Sequence, residues 1–110
     1  MSLWAEYIAE LEGCATHETD RGFVTFSIEP RSIFIRDMYV RPEHRNRGIA
    51  SDFVRYVSRL AREQGKRYVT SVVYKAKRTA DLSRKAQLAY GFEVSHEDAD
   101  VIYFKLDLGG

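Results

Sequence analysis

Six consecutive residues, Arg45-Asn46-Arg47-Gly48-Ile49-Ala50, have the types and spacing that a phosphate-binding loop needs. They lie between a strand pattern and a helix pattern, where the first helical N–H groups lack partners and the helix dipole is positive. Small residues at Gly48 and Ala50 allow a phosphate to approach the backbone, and two arginines add positive charge. The segment predicts pyrophosphate binding, although an ordinary loop in which Gly48 only permits a turn fits the same letters.

Other motifs for phosphate, metal or nucleophilic chemistry do not occur in the sequence. Gly48 is not followed by the ending of a nucleotide-triphosphate loop, and neither a dinucleotide glycine pattern nor a Gly-x-Ser-x-Gly elbow is present. The three histidines are scattered, so we predict no metal site. Cys14 and His17 could form a nucleophile pair, but a small buried Cys near a surface His is the commoner arrangement.

The segments around the loop alternate between strand and helix patterns. The apolar stripe Ile49, Phe53, Val57, Leu60 and Ala61 predicts an amphipathic helix that ends at Gly65. Strand patterns flank it, so the two strands should be parallel and joined by the helix. The predicted order is α-β-β-β-α-β-α-β-β, an α/β fold with a mixed sheet, as one domain over residues 1–110. Helices are predicted at 2–12, 49–65 and 79–89, and strands at 15–19, 23–28, 33–40, 68–74, 92–95 and 101–108.

Two of these segments carry finer predictions. The helix 79–89 should face inward with Leu82, Ala86 and Ala89. The last strand, 101–108, should be an antiparallel edge following an acidic turn at 96–100, and such an edge would allow a homodimer.

The charge distribution points to an anionic partner. The 110 residues carry a net charge of +1, yet basic residues gather between Arg41 and Lys85. A phosphorylated cofactor, a nucleic acid or an acidic surface would suit this bias, and so would an ordinary solvated helix face. Because no basic–aromatic recognition motif occurs, we predict no nucleic-acid partner. The lack of a long apolar run predicts no membrane partner, and the lone Cys14 favours a cytoplasmic location.

The run from Phe34 to Ala50, FIRDMYVRPEHRNRGIA, resembles the central motif of the GNAT superfamily of N-acetyltransferases. The resemblance extends through Tyr90-Gly91-Phe92 and covers about two-thirds of the chain, from Ile33 to Leu108. Within it, the run Asp37 to Val40 is most similar to diamine and thialysine acetyltransferases. A GNAT-like fold and acetyl transfer from acetyl-CoA to an amine are therefore the expectations.

The resemblance implies roles for particular residues. In the family the central strand bulges and splays from its parallel neighbour, and pantetheine lies in the gap. The backbone of Met38, Tyr39 and Val40 would bind pantetheine and polarise the thioester carbonyl. The pyrophosphate would lie against Arg45, Asn46, Arg47, Gly48, Ile49, Ala50 and Ser51. The acceptor amine, either a small polyamine-like molecule or a protein lysine or N-terminus, would attack the thioester directly.

Catalytic positions match the family only in part. Asp37 is the candidate base, acting through water, and Glu18 is a weaker candidate, although Asp37 could instead pair with Arg36 or Arg41. Ser83 matches a Ser that could donate a hydrogen bond to the thiol. The family's thiolate-protonating Tyr corresponds to Gln87, its frequent Asn corresponds to Ala80, and an acidic residue often found before the base corresponds to Arg36. These departures leave open a catalytically inactive acyl-CoA-binding or protein-interaction module with the same fold.

Overall fold

A six-stranded mixed sheet forms the centre of the computed structural model, which describes Leu3 and residues 14–109. The predicted element order holds from the first strand onward, whereas the predicted helix at 2–12 lies, apart from Leu3, outside the described residues. The sheet order is β1-β2-β3-β4-β6-β5. Its elements are β1 (Cys14–Thr19), β2 (Gly22–Ile28), β3 (Ser32–Val40), α1 (Ile49–Glu63), β4 (Tyr68–Tyr74), α2 (Ala80–Ala89), β5 (Glu93–Glu97) and β6 (Val101–Asp107), with a turn of 3₁₀ helix at Pro42–His44.

The two central strands, β3 and β4, are parallel but separate after a short contact. Only Ser32, Ile33 and Phe34 of β3 have partners on β4. On its other side β3 stays paired with β2, where the register shifts so that Thr25 faces Asp37 and Phe26 faces Ile35. The shift leaves Arg36 as an extra residue, which is a β-bulge and bends the strand. Both the bulge and the splay expected from the resemblance are therefore present.

The core lies between α1 and one face of the sheet. The predicted apolar stripe is confirmed at Ile49, Phe53, Val57 and Ala61, which are buried, while Leu60 is only half-buried against the core. A fully buried Val, Ile or Phe side chain contributes about 1.5–3 kcal/mol. The sheet residues that pack with this stripe include Val24, Phe26, Ile33, Val69, Ile102 and Phe104.

Gly22 fixes the distance between β2 and the end of β3. A Cβ atom at this position would lie 2.0 Å from the carbonyl oxygen of Tyr39 and 3.0 Å from the Cα of Val40. No side chain fits in that space, so the close approach of the two strands requires glycine here.

The predicted inward face of α2 is confirmed at Ala86 but is wrong at Leu82 and Ala89. Leu82 is 70% exposed and Ala89 is exposed, while Ala86 is half-buried. The half-buried Ser83 and Gln87 face the sheet instead, because the Gln87 side chain accepts a hydrogen bond from the buried hydroxyl of Ser71. The side of α2 that faces the sheet therefore carries a polar contact, while Ala80 and Tyr90 at its two ends pack against the core.

The last strand is not an edge, which removes the stated ground for a homodimer. Strand β6 pairs with β4 on one side and with β5 on the other. The edge strand next to β6 is β5, whose residues are all exposed and which includes His96 and Glu97 from the predicted turn. Its register shifts between Val94 and His96. A short, bulged and charged edge strand resists pairing with another chain.

Neither helix in the described part of the chain combines the length and apolarity that crossing a membrane requires.

Candidate functional site

A cleft of about 830 Å³ opens where β3 and β4 separate, and we refer to it as the splay cleft. Residues from β3, the following loop, the start of α1, β4 and α2 line it. Of the residues predicted for the site, all except Arg47 and the weaker candidate Glu18 line it: Asp37, Met38, Tyr39, Val40, Arg45, Asn46, Gly48, Ile49, Ala50, Ser51 and Ser83. One cavity thus brings together the segment that ends at Ser51 and the residue Ser83, which lie 32 positions apart in the sequence.

The backbone of β3 offers hydrogen-bonding groups to the splay cleft. The N–H of Arg41 donates to the carbonyl of Arg21, and that of Asp37 donates to the Thr25 hydroxyl at 3.1 Å, so both point toward β2. Because successive residues of a strand point their groups to opposite sides, those of Met38 and Val40 point into the gap. Tyr39 pairs with Phe23 of β2, so its backbone groups are directed away from the cleft.

The N-terminus of α1 opens onto the same cleft without a cap. Gly48 is the N-cap residue with φ 80°, and no side chain caps the helix. The first amide in the turn with a backbone partner is that of Asp52, which donates to Gly48, so within the described chain the N–H groups of Ile49, Ala50 and Ser51 remain available. Three amides and a positive dipole end form an anion site. The left-handed φ of position 48 favours glycine. Crowding is not the reason, because nothing lies within 4 Å of an added Cβ.

Arg45 is held at the mouth of the cleft by two contacts. Its Nε donates to the carbonyl oxygen of Val40 at 3.0 Å, and its guanidinium carbon lies 5.7 Å from the centre of the Tyr39 ring. No described residue bonds to its terminal guanidinium nitrogens, which can bind an anion in a bidentate fork. Arg47 is exposed and lies outside the cleft lining.

Asp37 lines the cleft, and Arg41, one of the two arginines expected to pair with it, is engaged elsewhere. Its Oδ2 is 3.5 Å from the hydroxyl of Thr25, and Arg41 pairs with Glu43 at 3.8 Å instead. The carboxylate is exposed, so water can reach it. Glu18, the weaker candidate base, is on β1, two strands away from β3, and does not line the cleft.

The opposite wall of the cleft belongs to α2 and β4. Ser83 is half-buried there, and Gln87 accepts a hydrogen bond of 2.7 Å from Ser71. With its oxygen engaged, the Gln87 amide keeps its N–H donors for other partners. Tyr90 also lines the cleft, and its partial burial raises the pKa of its phenol, which keeps it protonated.

Two further basic residue types line the cleft, Lys77 and His44, to which the sequence pattern assigned no role. Lys77, between β4 and α2, lies with its Nζ 5.5 Å from the Tyr74 ring, and His44 lies in the 3₁₀ turn. Lys77 follows a strand and precedes a helix, as the phosphate loop does, and that similarity of context was the available signal. Among the described residues, no group of three His, Cys, Asp or Glu side chains could hold a metal ion.

Residues 3–85 match the Acetyltransferase (GNAT) family. This chain belongs to that family. No curated protein sequence matches the chain significantly.

Solved structures of acetyltransferases share the fold. Nourseothricin acetyltransferase superposes with a TM-score of 0.71 and 22% identity over 81% of this chain and 58% of that one. The PaiA N-acetyltransferase of Thermoplasma acidophilum, crystallised with coenzyme A, gives 0.69 and 15% over 79% and 53%. The anti-CRISPR protein AcrVA5 gives 0.68 and 20% over 82% and 96%. At these identities the likeness shows the fold alone, and the chain spans little more than half the length of the first two.

Proposed function

We propose that this GNAT-family chain transfers an acetyl group from acetyl-CoA to a primary amine. The observation that carries the proposal is the convergence, in one cleft, of strand backbone groups at Met38 and Val40 with the uncapped start of α1. The first pair suits an amide-bearing arm, and the second suits a pyrophosphate. A ligand with both groups in one chain is coenzyme A.

The donors of the splay cleft fit this ligand. The amides of Ile49, Ala50 and Ser51 would bind the pyrophosphate, with Arg45 adding charge at the mouth. Arg47 is retained as a weaker member of this set, because it is exposed beside the loop without lining the cleft. Bound acetyl-CoA would supply an activated thioester.

The chain's own groups would then serve the transfer. A backbone N–H of β3, at Met38 or Val40, would donate to the carbonyl oxygen as negative charge develops on it, and losing one such donor costs about 10²–10³ in rate. A Lys-like amine, with a pKa near 10.4, is protonated at neutral pH and must first lose a proton. Asp37 would accept that proton through water. As the amine nitrogen formed the C–N bond, the C–S bond would break and the second proton lost by the nitrogen would pass to the thiolate, with Ser83 donating a hydrogen bond to the sulfur.

One observation favours a second function, acyl-CoA binding without turnover. Gln87, at the position of the family's proton-donating Tyr, is bonded to Ser71, and an amide cannot give up a proton at neutral pH. Binding with no thiol release from any amine would support this alternative.

The first experiment is a thermal-unfolding titration with acetyl-CoA, with ATP and salt as controls. A ligand at about 100 times its Kd stabilises a fold by roughly 2.7 kcal/mol, a shift of several degrees in a domain of this size. Free-thiol release with a panel of amines then tests transfer. No shift with any acyl-CoA would overturn the proposal.

A matched pair of variants locates the site. Ser51→Glu puts a carboxylate in the first turn of α1, which the helix dipole tolerates, but its charge would repel a pyrophosphate. Ser51→Ala keeps the backbone amide and the neutral charge. We expect the acetyl-CoA shift to vanish in Ser51→Glu and to persist in Ser51→Ala, whereas equal shifts in both would exclude this end of the helix.

A further inference from the structure

A second cavity, of about 470 Å³, lies beside the splay cleft, and we refer to it as the outer groove. Along β4 the residues Val69, Ser71 and Val73 are buried on the face that carries the helices, where Ser71 bonds to Gln87, while Thr70 and Val72 alternate with them and face the other side of the sheet. Thr70 and Val72 line the groove, which therefore runs along the face away from α1. Its other side chains include Phe34, Tyr74, Val101 and Tyr103.

The outer groove and the splay cleft share a wall. Phe34, Ser71, Val72 and Tyr74 line both cavities. Phe34 is also the last residue of β3 that pairs with β4, so the cavities adjoin where the strands begin to separate. A ligand in the groove would thus come within reach of one that occupies the cleft.

The two cavities differ in charge. The splay cleft is lined by Arg36, Arg45 and Lys77 with one carboxylate, Asp37. Within the described chain no Lys, Arg or His lines the outer groove, and its one ionisable carboxylate is Glu29. Glu29 accepts a hydrogen bond from the Ser32 hydroxyl at 3.2 Å and has no cation within 4.0 Å among the residues described. One cavity suits an anion and the other a cation.

We propose that the outer groove binds the acceptor, a small amine with one positive charge on an apolar, ring-containing body. The inference rests on the proposed function, because it assigns the splay cleft to acetyl-CoA. Phe34, Tyr74 and Tyr103 supply aromatic surface for the ring of the amine. Lys77 already lies 5.5 Å from the Tyr74 ring and His96 lies against Tyr103, so the ring offered to the ammonium group is that of Phe34. Glu29 supplies the negative charge that draws the cation in.

The groove's composition separates this class from polyamines. Several ammonium groups spaced along a flexible chain need several carboxylates, and the groove has one. Its volume of about 470 Å³ falls in the range of small-molecule sites and its lining is largely apolar. An arylalkylamine meets both conditions.

The test compares 2-phenylethylamine with spermidine and with a lysine-containing peptide. Binding is measured by calorimetry with CoA present, and turnover by thiol release. We expect 2-phenylethylamine to exceed spermidine at least tenfold in affinity and in kcat/KM. Spermidine or the peptide binding as well or better would overturn the assignment. Since binding needs no turnover, a bound but unreacted arylalkylamine would refute transfer while supporting the groove.

Variants confined to the groove complete the test. Glu29→Gln should raise the KM for 2-phenylethylamine about three- to tenfold at low salt, and Tyr103→Ala should reduce the preference over spermidine. Glu93→Gln, on the exposed edge strand outside the groove, is the matched control. The thermal shift with acetyl-CoA should stay unchanged in all three variants. Unaltered amine kinetics in both groove variants, with that shift intact, would contradict the proposal.

Discussion

At the scale of single residues, Asp37 is the position on which turnover should depend most. It is an exposed carboxylate on the cleft wall, open to water, whose Oδ2 accepts a hydrogen bond of 3.5 Å from the Thr25 hydroxyl. General-base catalysis contributes about 10²–10⁴-fold. We expect Asp37→Asn to lower kcat at pH 7 by about a hundredfold and to leave the acetyl-CoA thermal shift unchanged.

The pH profile separates a base from a structural carboxylate. Raising the pH deprotonates the amine in solution, so the deficit of Asp37→Asn should shrink as the pH approaches the pKa of the acceptor. A deficit that is constant with pH would argue for a structural role. Glu18→Gln is the comparison, since Glu18 lies two strands away, and its kinetics should match the wild type.

The Ser71–Gln87 pair should stabilise the attachment of α2. Ser71 is 4% exposed and its hydroxyl donates to Gln87 at 2.7 Å. A buried hydroxyl that loses its partner costs about 1–3 kcal/mol, whereas removing both partners costs less. In urea unfolding, Gln87→Leu should therefore be less stable than the double variant Ser71→Ala/Gln87→Leu. Additive losses would show that the bond contributes nothing.

At the scale of elements, the junction of β2 and β3 depends on one glycine. An alanine at position 22 would bring its Cβ to 2.0 Å from the carbonyl of Tyr39, so one strand must shift. Overpacking of this kind costs about 1–3 kcal/mol. We expect Gly22→Ala to lower the urea midpoint. It should also weaken acetyl-CoA binding, because Val40, whose backbone faces the splay cleft, ends β3, the strand that carries Tyr39. Ser27→Ala, farther along β2, should leave binding unchanged.

The hairpin of β5 and β6 is joined to the end of β4 by Lys75 and Glu97. Their side chains lie 2.7 Å apart, and the hydrogen bond from Lys75 lowers the pKa of Glu97 below the usual 4.5. A lowered folded-state pKa means a contribution to stability that is complete above about pH 4.5 and lost as the pH falls through the lowered value.

Thermal unfolding from pH 7 to pH 3 tests this contribution. Glu97→Gln should have a lower Tm than the wild type at neutral pH, and the difference should disappear at the acid end. The wild type and the variant should both keep some acid sensitivity, since amide hydrogen bonds from Asp100 and Val101 lower the pKa of Asp98. A Tm difference that persists unchanged at pH 3 would contradict an ionic origin.

How far the sequence predicts an element depends on what positions that element. Strand β4 has the predicted bounds, and the α1 stripe is buried largely as predicted, because dense β-branched runs and long periodic stripes leave one choice of face. The face of α2 was predicted correctly at Ala86 but not at Leu82, because local spacing does not show the Ser71–Gln87 bond, which joins residues 16 positions apart. Strand order likewise depends on pairing that no local pattern records, so β6 was misread as an edge.

For the site, the sequence predicts the loop better than the walls. Gly48 and its neighbours form a local turn whose φ and missing cap follow from the letters, and they meet at the cleft as expected. Arg47 differs because the direction of an exposed side chain is not encoded by spacing. Lys77 and Glu29 were missed because their relevance arises only after β3 and β4 come together.

At the scale of the whole molecule, the sheet separates opposite charges onto adjoining cavities. Cationic side chains line the splay cleft, and a carboxylate with aromatic rings lines the outer groove. The electric field of each cavity raises the local concentration of oppositely charged ligands, and added salt weakens this effect. The two proposed ligands would thus reach the thin wall at Phe34 and Val72 from opposite faces.

The short contact between β3 and β4 also bears on amide hydrogen exchange. Three residue pairs and the α1 connection join a β1–β2–β3 half-sheet to a β4–β6–β5 half-sheet. The β3-facing N–H groups of β4 beyond Thr70 then lack a strand partner and should exchange early, whereas those facing β6 stay protected. A molecule hydrogen-bonded in the gap would take the place of a seventh strand between the two half-sheets. When it binds, local opening of one half-sheet should become coupled to opening of the other, and amide exchange in both should slow.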